Sequence, residues 1–414
     1  MNAARDLIQS KLSRLEFTLM LSMSMAVAAL AVDIILPAMG ELRTAFGLPA
    51  DSNDVAAVVT FFFAGLAIGQ GVWGIVSDAL GRKRVLYISL AVYICSALAS
   101  AVAPSLVTLL VVRFVWGFGA AGPQTMARSV VRDTYEGAAM ARALSFIMAV
   151  FVLVPIVAPT LGTAVLLVGS WPWIFVSTAV FGVGIAVWTL RLPETLPPPE
   201  RVPLRFGRLM GAARIVVSNP ITMRYTLAQT AVFGFFQSYL ASSQLIIEDI
   251  FDLDAWFPLI FGLTAVLMGA ALLSNTRLVH IYELRPLLRT IFGAYLVAGL
   301  VFAVVIVASG GHPGFAVFIA TLLPILVAQS LLIPNLNAIA MIPMGAVAGS
   351  AAAIIGMTST LGGAIIGASI DALYDGSLIP FGIAAAATGI ASYLFMLWAD
   401  KAYRAQEGVQ VSAG

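Results

Sequence analysis

Long apolar runs recur along this chain at short intervals, and each is about as long as a helix that crosses a lipid bilayer. Short stretches with proline, glycine or charged residues separate them. Backbone N–H and C=O groups cannot remain unpaired in hydrocarbon, so each run is predicted to be a membrane-spanning helix. The twelve predicted spans are residues 15–38, 53–77, 84–103, 105–127, 140–166, 172–191, 221–246, 256–278, 286–308, 314–336, 347–371 and 378–399.

The composition supports lipid as the solvent for most of the chain. Hydrophobic residues make up 61% of it and charged residues 10%, whereas a soluble domain carries roughly 25% charged residues. The first apolar run is too long for the core of a cleaved signal peptide, so it is predicted to be a permanent span. The predicted fold class is an all-α membrane protein with twelve transmembrane helices.

The positions of the basic residues predict the orientation. With both termini in the cytoplasm, 20 of the 22 lysines and arginines fall in or next to the cytoplasmic segments. Cytoplasmic segments of membrane proteins are enriched in these residues. The exceptions are Arg43, on the outer side, and Arg113, inside span four. We therefore predict a multi-pass protein of the bacterial inner (plasma) membrane.

A proline-rich, basic stretch divides the spans into six plus six. The predicted domains are an N-terminal six-helix bundle at 1–195, a cytoplasmic linker at 196–219 and a C-terminal six-helix bundle at 220–414. Two repeated bundles are typical of secondary transporters that bind substrate near the middle of the membrane.

The loop between spans two and three reads GIVSDALGRKRVL and resembles the loop signature of the major facilitator superfamily. Glycine at position 81 permits a tight turn. The resemblance implies a cytoplasmic gate, for which the candidate residues are Gly74, Asp78, Gly81, Arg82, Lys83 and, from the end of span four, Asp133. A cluster of basic residues that only sets the orientation is the alternative.

Three further stretches narrow the resemblance. They are AVDIILPAM in span one, the segment from MARSVVRD to APTLG in spans four and five, and AVAGSAAAIIGMTSTLGGAIIG in span eleven. They resemble the bicyclomycin/chloramphenicol-resistance (Bcr/CflA) branch of twelve-span drug:proton antiporters. Span five resembles a degenerate antiporter signature, in which Pro155, Pro159 and Gly162 are expected to bend the helix.

Two charged side chains lie within spans and away from the span ends, Asp33 in span one and Arg113 in span four. A charge inside a bilayer costs about 2.5 kcal/mol or more and usually has a function. Desolvation disfavours the charged form of a carboxyl, so Asp33 is predicted to carry a proton in competition with substrate, and Arg113 to modulate it. The alternatives are a fixed ion pair that locks two helices, or an Asp33 that lies in the outer interface.

Other polar and aromatic side chains are candidates for a substrate cavity, although interhelical packing is the more common role for any one of them. These candidates are Gln124, Gln229, Phe236, Gln237, Tyr239, Gln329 and Asn335. Phosphate-binding loops, paired catalytic carboxylates and nucleophile motifs are missing from the sequence. No enzymatic activity, cofactor or metal is therefore expected, and an ion gradient is expected to supply the energy.

The sequence thus predicts proton-coupled efflux, by antiport, of small and mostly apolar or cationic molecules such as drugs. The expected partners are this substrate, protons and the lipid bilayer; nucleic acid is not expected, and the chain is predicted to be a monomer. An exporter dedicated to one native metabolite or siderophore is an alternative. A membrane scaffold or sensor that transports nothing is the alternative from another class.

Overall fold

The computed structural model describes residues 12–49, 52–203 and 206–413, and this part of the chain is helical and without strands. Its α-helices are α1 (Arg14–Asp33), α2 (Met39–Ala45), α3 (Ala57–Leu80), α4 (Arg82–Ala101), α5 (Leu106–Thr134), α6 (Gly137–Val168), α7 (Pro172–Trp188), α8 (Phe206–Ser218), α9 (Pro220–Asp249), α10 (Phe257–Ile281), α11 (Leu284–Ala308), α12 (Phe315–Met341), α13 (Ala348–Asp371) and α14 (Ile379–Ala413).

Each predicted span coincides with one of these helices, so the all-helical fold class is confirmed. Within the described ranges, eleven segments are long and apolar enough to cross a membrane. The span outside that set is α9, which is long enough at 30 residues. It carries many glutamine, serine and threonine side chains, and most of them are buried. The polar side chains of α9 therefore lie mainly on its buried faces.

Two predicted boundaries differ from the structure for local reasons. Span one was predicted to continue to residue 38, but α1 ends at Asp33 and a 3-10 turn follows at Leu36–Ala38. Pro37 has no N–H to donate to the carbonyl four residues earlier, so the helix cannot continue through it. The linker contains a helix that the sequence prediction lacked, α8, on which Met210, Ile215 and Val217 are exposed.

Internal contacts divide the chain into two compact units. Unit 1 contains the described residues of 1–50, 55–206 and 254–266. Unit 2 contains the described residues of 51–54, 207–253 and 267–414. The domain boundaries at 195 and 220 stay a prediction.

In unit 1, α3 and α5 approach each other closely through glycines. A Cβ atom at Gly65 would overlap the carbonyl oxygen of Phe114, and one at Gly117 would overlap the carbonyl oxygen of Phe62. Small residues permit this approach of helix backbones inside a membrane. The opposite face of α5 exposes Val115, which is the arrangement expected where a helix meets lipid. The contact between α3 and α5 holds the buried face of α5 in place.

In unit 2, the glycine face of α13 packs against α9. A Cβ atom at Gly363 would lie 2.7 Å from Gln237 Nε2, and one at Gly367 would lie 3.1 Å from Ser238 N. The residue numbers rise together on both helices, so the two helices run parallel. Glycine at 363 and 367 permits this close approach of the two helices. Asp371 follows Gly367 by four residues and lies on the same face of α13.

Candidate functional site

Asp33 is the last residue of α1, and only 3% of its surface is exposed. No other residue of the described ranges forms a hydrogen bond or an ion pair with its carboxyl. Helix α6 packs on the next residue, because a Cβ atom at Gly162 would overlap the carbonyl oxygen of Ile34. Asp33 is therefore buried beside a break in α1, and within the described part of the chain its carboxyl has no charged or hydrogen-bonded partner.

The span-five segment predicted to bend is part of one helix. Helix α6 continues through Pro155 and Pro159 to Val168. Gly162 has a role that the sequence did not indicate, since it permits the contact with α1 next to Asp33. The bend itself stays a prediction.

Arg113 is fully buried in unit 1 and is held by backbone and aromatic groups. Its Nη1 donates to the carbonyl oxygen of Ala31 at 3.0 Å, and its Nε donates to that of Val58 at 3.1 Å. The guanidinium carbon lies 4.7 Å from the ring centroid of Phe62 and 4.9 Å from that of Trp116. The remaining nitrogen, Nη2, is buried without a partner among the described residues.

Arg113 and Asp33 do not form an ion pair in the described structure, and Arg113 reaches α1 through the backbone instead. Ala31 lies two residues before Asp33 on α1, so the guanidinium holds the same turn that carries the carboxyl. A fixed ion pair between the two side chains is the alternative that this geometry disfavours. The roles predicted for both residues remain proposals.

The loop signature forms a compact ionic cluster in unit 1, centred on Arg82. Its Nη1 lies 2.6 Å from Asp78 Oδ1, and its Nε lies 2.9 Å from Asp133 Oδ2. Ser77 Oγ accepts a further hydrogen bond from Nη1 at 2.6 Å. Arg82 itself is only 5% exposed. The three gate candidates Asp78, Arg82 and Asp133 are thus brought together by helices α3, α4 and α5.

Sequence reasoning missed a third acidic member of this cluster, Glu194. Its carboxylate accepts from the backbone N–H of Arg82 at 2.9 Å and of Lys83 at 3.2 Å. These N–H groups begin α4, where the positive end of the helix dipole favours an anion. Gly81 has a φ of +96°, and a Cβ atom there would lie 2.5 Å from Glu194 Oε2. The positive φ favours glycine at this position, and the absence of a side chain leaves room for Glu194.

The remaining members of the predicted gate take smaller parts. Lys83 Nζ donates to the carbonyl oxygen of Leu190 at 2.9 Å. A Cβ atom at Gly74 would lie 3.9 Å from Thr125, which is ordinary contact. Neither contact shows a role in gating. The gating role of the whole cluster stays a prediction.

The predicted cavity candidates of α9 and unit 1 make single amide contacts. Gln124 accepts from Gln70 Nε2 at 3.3 Å. Gln229 donates to Asn337 Oδ1 at 3.3 Å, and Gln237 donates to the carbonyl oxygen of Thr360 at 3.1 Å. Oε1 of both Gln229 and Gln237 is buried without a donor in the described structure.

The candidates of α12 differ in how well their amides are satisfied. Asn335 and Asn275 exchange hydrogen bonds of 2.7 and 3.3 Å, which is a complete interhelical pair. Gln329 is fully buried, and neither of its amide atoms has a partner among the described residues. On α9, the rings of Phe236 and Tyr239 stack with centroids 6.4 Å apart. Substrate contact by any of them stays a prediction.

A second carboxyl was also missed, that of Asp371 in unit 2, a partly buried residue whose Oδ2 is buried. Asp371 Oδ1 accepts from Ser238 Oγ at 2.6 Å and from Ser242 Oγ at 2.8 Å. The sequence placed Asp371 at the very end of span eleven, where a charge is unremarkable. The available signal was the pair of serines four residues apart on α9, which presents two hydroxyls on one helix face.

Apolar helices of spanning length define this chain as a polytopic membrane protein. The sequence profile of the family described as Major Facilitator Superfamily matches residues 21–367. The chain therefore belongs to that superfamily. This confirms the resemblance drawn from the loop signature. Since members of the superfamily are transporters, the chain is a transporter and not an enzyme, as predicted.

Individual proteins support the same classification. The chain is 28% identical over 376 residues to the uncharacterized MFS-type transporter YdgK of Bacillus subtilis, covering 89% of this chain and 91% of the relative. It is 26% identical over 286 residues to a bicyclomycin resistance protein homolog of Haemophilus influenzae, covering 69% and 71%. The xylose transporter XylE from E. coli shares the fold, with a TM-score of 0.73 at 13% identity over 92% of this chain and 98% of that one.

Proposed function

We propose that this chain exports small, mostly apolar or cationic molecules such as drugs across the inner membrane in exchange for protons. The observation that carries the proposal is Asp33, a residue that is 3% exposed and whose carboxyl has no ionic partner among the described residues. Desolvation disfavours the charged form of a carboxyl, so burial favours the protonated form of Asp33. The similarity to a bicyclomycin resistance protein homolog supports drugs as the substrate class.

In this mechanism proton and substrate compete for Asp33. A cationic or polar substrate beside the carboxyl favours its ionised form and releases the proton. When the substrate leaves, burial favours the neutral form again. Arg113 keeps the last turn of α1 in place through its hydrogen bond to Ala31, and it does so without an ion pair that would hold Asp33 permanently charged.

The test is transport by purified protein in liposomes with an imposed pH gradient, with bicyclomycin as first probe and a wider drug panel after it. Asp33→Asn should abolish gradient-driven export while substrate binding persists. Proton release on addition of substrate should also disappear. Asp375→Asn is the matched control, since Asp375 is an exposed aspartate of unit 2 and its variant should transport normally.

Each contrary outcome assigns a different function. Normal export by Asp33→Asn removes the carrier role from Asp33. Export of one native metabolite or siderophore, with no drug transported, indicates a dedicated exporter. Failure of the wild-type protein to move any compound of the panel, with or without a gradient, favours a scaffold or sensor.

A further inference from the structure

Asp371 and the groups around it form a polar cluster that the mechanism at Asp33 does not use. The cluster consists of Asp371, Ser238, Ser242 and Asn53, all of unit 2. The two serine hydroxyls bind Asp371 Oδ1 at 2.6 and 2.8 Å. Asn53 Nδ2 donates to Ser242 Oγ at 2.9 Å and to the backbone carbonyl oxygen of Asp371 at 3.3 Å.

The cluster has more buried acceptors than it has donors. Asp371 Oδ2 and Asn53 Oδ1 are both buried, and neither has a hydrogen-bond partner among the described residues. A hydroxyl has one proton and a primary amide has two. Both serine protons go to Asp371 Oδ1, and both amide contacts of Asn53 are in use. No donor of the cluster is left for the two unpaired oxygens.

No cation compensates the carboxylate, because no described lysine, arginine or histidine forms an ion pair with Asp371. Helix α13 packs against α9, α12 and α14, and α12 has no charged or titratable side chain. The charged and titratable groups of the packed helices and adjoining loops are Arg224, Tyr225, Tyr239, Glu248 and Asp249 on α9, Tyr393, Asp400, Lys401, Tyr403, Arg404 and Glu407 on α14, and Asp54, Asp252, Asp254, His312, Tyr374 and Asp375 in the adjoining segments.

These groups leave Asp371 without a counter-charge. Arg224 lies at the opposite end of α9 and donates to the carbonyl oxygen of Trp398. Glu248 follows Ser242 by six residues, about 9 Å along a helix, and its charge has the same sign as that of Asp371. The carboxyl group of Asp371 accepts two hydrogen bonds on Oδ1 and none on its buried Oδ2, and none of these groups pairs with it as a cation. Such a group is more stable in its neutral form.

We propose that Asp371 is a second proton-binding site, whose neutral carboxyl donates from Oδ2 to Asn53 Oδ1 and thereby attaches residues 52–54 to α9 and α13. One proton turns an unpaired acceptor into a donor, and Asn53 Oδ1 is the acceptor of the cluster that lacks a donor. Both unpaired oxygens are satisfied by a single binding event. The proposal does not depend on whether Asp33 carries the transported proton.

The first measurement is infrared difference spectroscopy of the full chain in lipid nanodiscs during a pH change. The carboxylic acid C=O absorption that appears on acidification of the wild type should lose one component in Asp371→Asn, while the contributions of Asp33 and of the exposed carboxyls remain. The Asp375→Asn variant should keep that component, because Asp375 is exposed. A band of full intensity in Asp371→Asn overturns the proposal.

The second measurement is hydrogen–deuterium exchange of the peptide that contains residues 52–56, followed from alkaline to acidic pH. Wild-type protection should rise at least several-fold, beyond the intrinsic pH effect, as Asp371 takes up its proton. Asp371→Asn should be protected at every pH, because the new side-chain N–H donates to Asn53 in place of the acid. Asp371→Ala and Asn53→Ala should be unprotected at every pH.

The matched variants keep the result interpretable. Asn53→Ala alters a loop side chain, so it reports on the contact even where Asp371→Ala fails to fold. Protection that follows pH unchanged in Asn53→Ala contradicts the proposed contact. Protection that depends on sodium at constant pH, tested by exchange for N-methylglucamine, assigns the cluster to a sodium ion and overturns the proton. Transport is not a readout, so failure here is separable from failure at Asp33.

Discussion

At the scale of the residue, Arg113 is a buried cation whose bonds go to backbone carbonyls. Each hydrogen bond to a charged group contributes about 1.5–3 kcal/mol, and the guanidinium makes two, to α1 and to α3. Arg113→Lys keeps the charge but loses the planar fork. We expect melting temperatures in the order wild type, Arg113→Lys, Arg113→Ala, with the alanine variant destabilised by about 2 kcal/mol or more. Thermal unfolding in detergent, followed by intrinsic fluorescence, measures this order.

Transport by the same variants separates two roles of Arg113. If the residue acts by holding α1 beside Asp33, loss of transport should follow loss of stability. If the alanine variant melts like the wild type but does not transport, Arg113 acts instead through the electrostatic effect of its positive charge on the Asp33 carboxyl. Asp375→Asn, with an exposed change of charge, is the control for both measurements.

At the scale of the element, the contact between α3 and α5 depends on glycine. A Cβ atom at Gly117 would overlap the carbonyl oxygen of Phe62, which belongs to a helix backbone and cannot move aside. Gly117→Ala should therefore force the helices apart and reduce the folded protein recovered from membranes several-fold. Gly184→Ala on α7 is the matched control, since nothing lies within 4 Å of a Cβ atom there. Fluorescence-detected size exclusion measures the yield of both variants, and equal yields would contradict this account of the contact.

The helices were predictable from sequence because lipid imposes one rule on every span. An apolar run of sufficient length has no stable alternative to a helix in hydrocarbon, and a proline within four residues explains the early end of α1. Three residues of the ionic cluster around Arg82 could also be named from the sequence, since Asp78 and Arg82 are close in sequence and Asp133 belongs to a recognisable pattern. Asp33 and Arg113 were visible because a charge stands out in an apolar run.

What the sequence did not reveal are contacts made at the ends of helices by distant residues. Glu194 lies between the end of span six and the predicted linker, where nothing in the sequence indicates a contact, yet it binds the first N–H groups of α4. Asp371 ends its span, so only the position of Ser238 and Ser242 across the helix contact shows that its carboxyl is buried. Arg113 donates its hydrogen bonds to backbone carbonyls. Because every residue has one, the sequence does not indicate which carbonyls accept them.

At the scale of the whole molecule, the distribution of lysine and arginine predicts which loops face the cytoplasm. The chain has one cysteine, Cys95, so replacing it with serine gives a background for single-cysteine labelling. Glu283 and His312 are both exposed, and they lie at opposite ends of α11. They are therefore predicted to lie on opposite sides of the membrane.

We expect a membrane-impermeant maleimide to label His312→Cys in spheroplasts, and to label Glu283→Cys only after the membrane is opened. One span separates the two positions, so an error in their sidedness changes the result at once. The reverse pattern would invert the whole topology, whereas labelling of both from one side would mean that α11 does not cross the bilayer. Because an odd number of crossings puts the termini on opposite sides, labelling of cysteines placed at the two termini then distinguishes twelve spans from eleven.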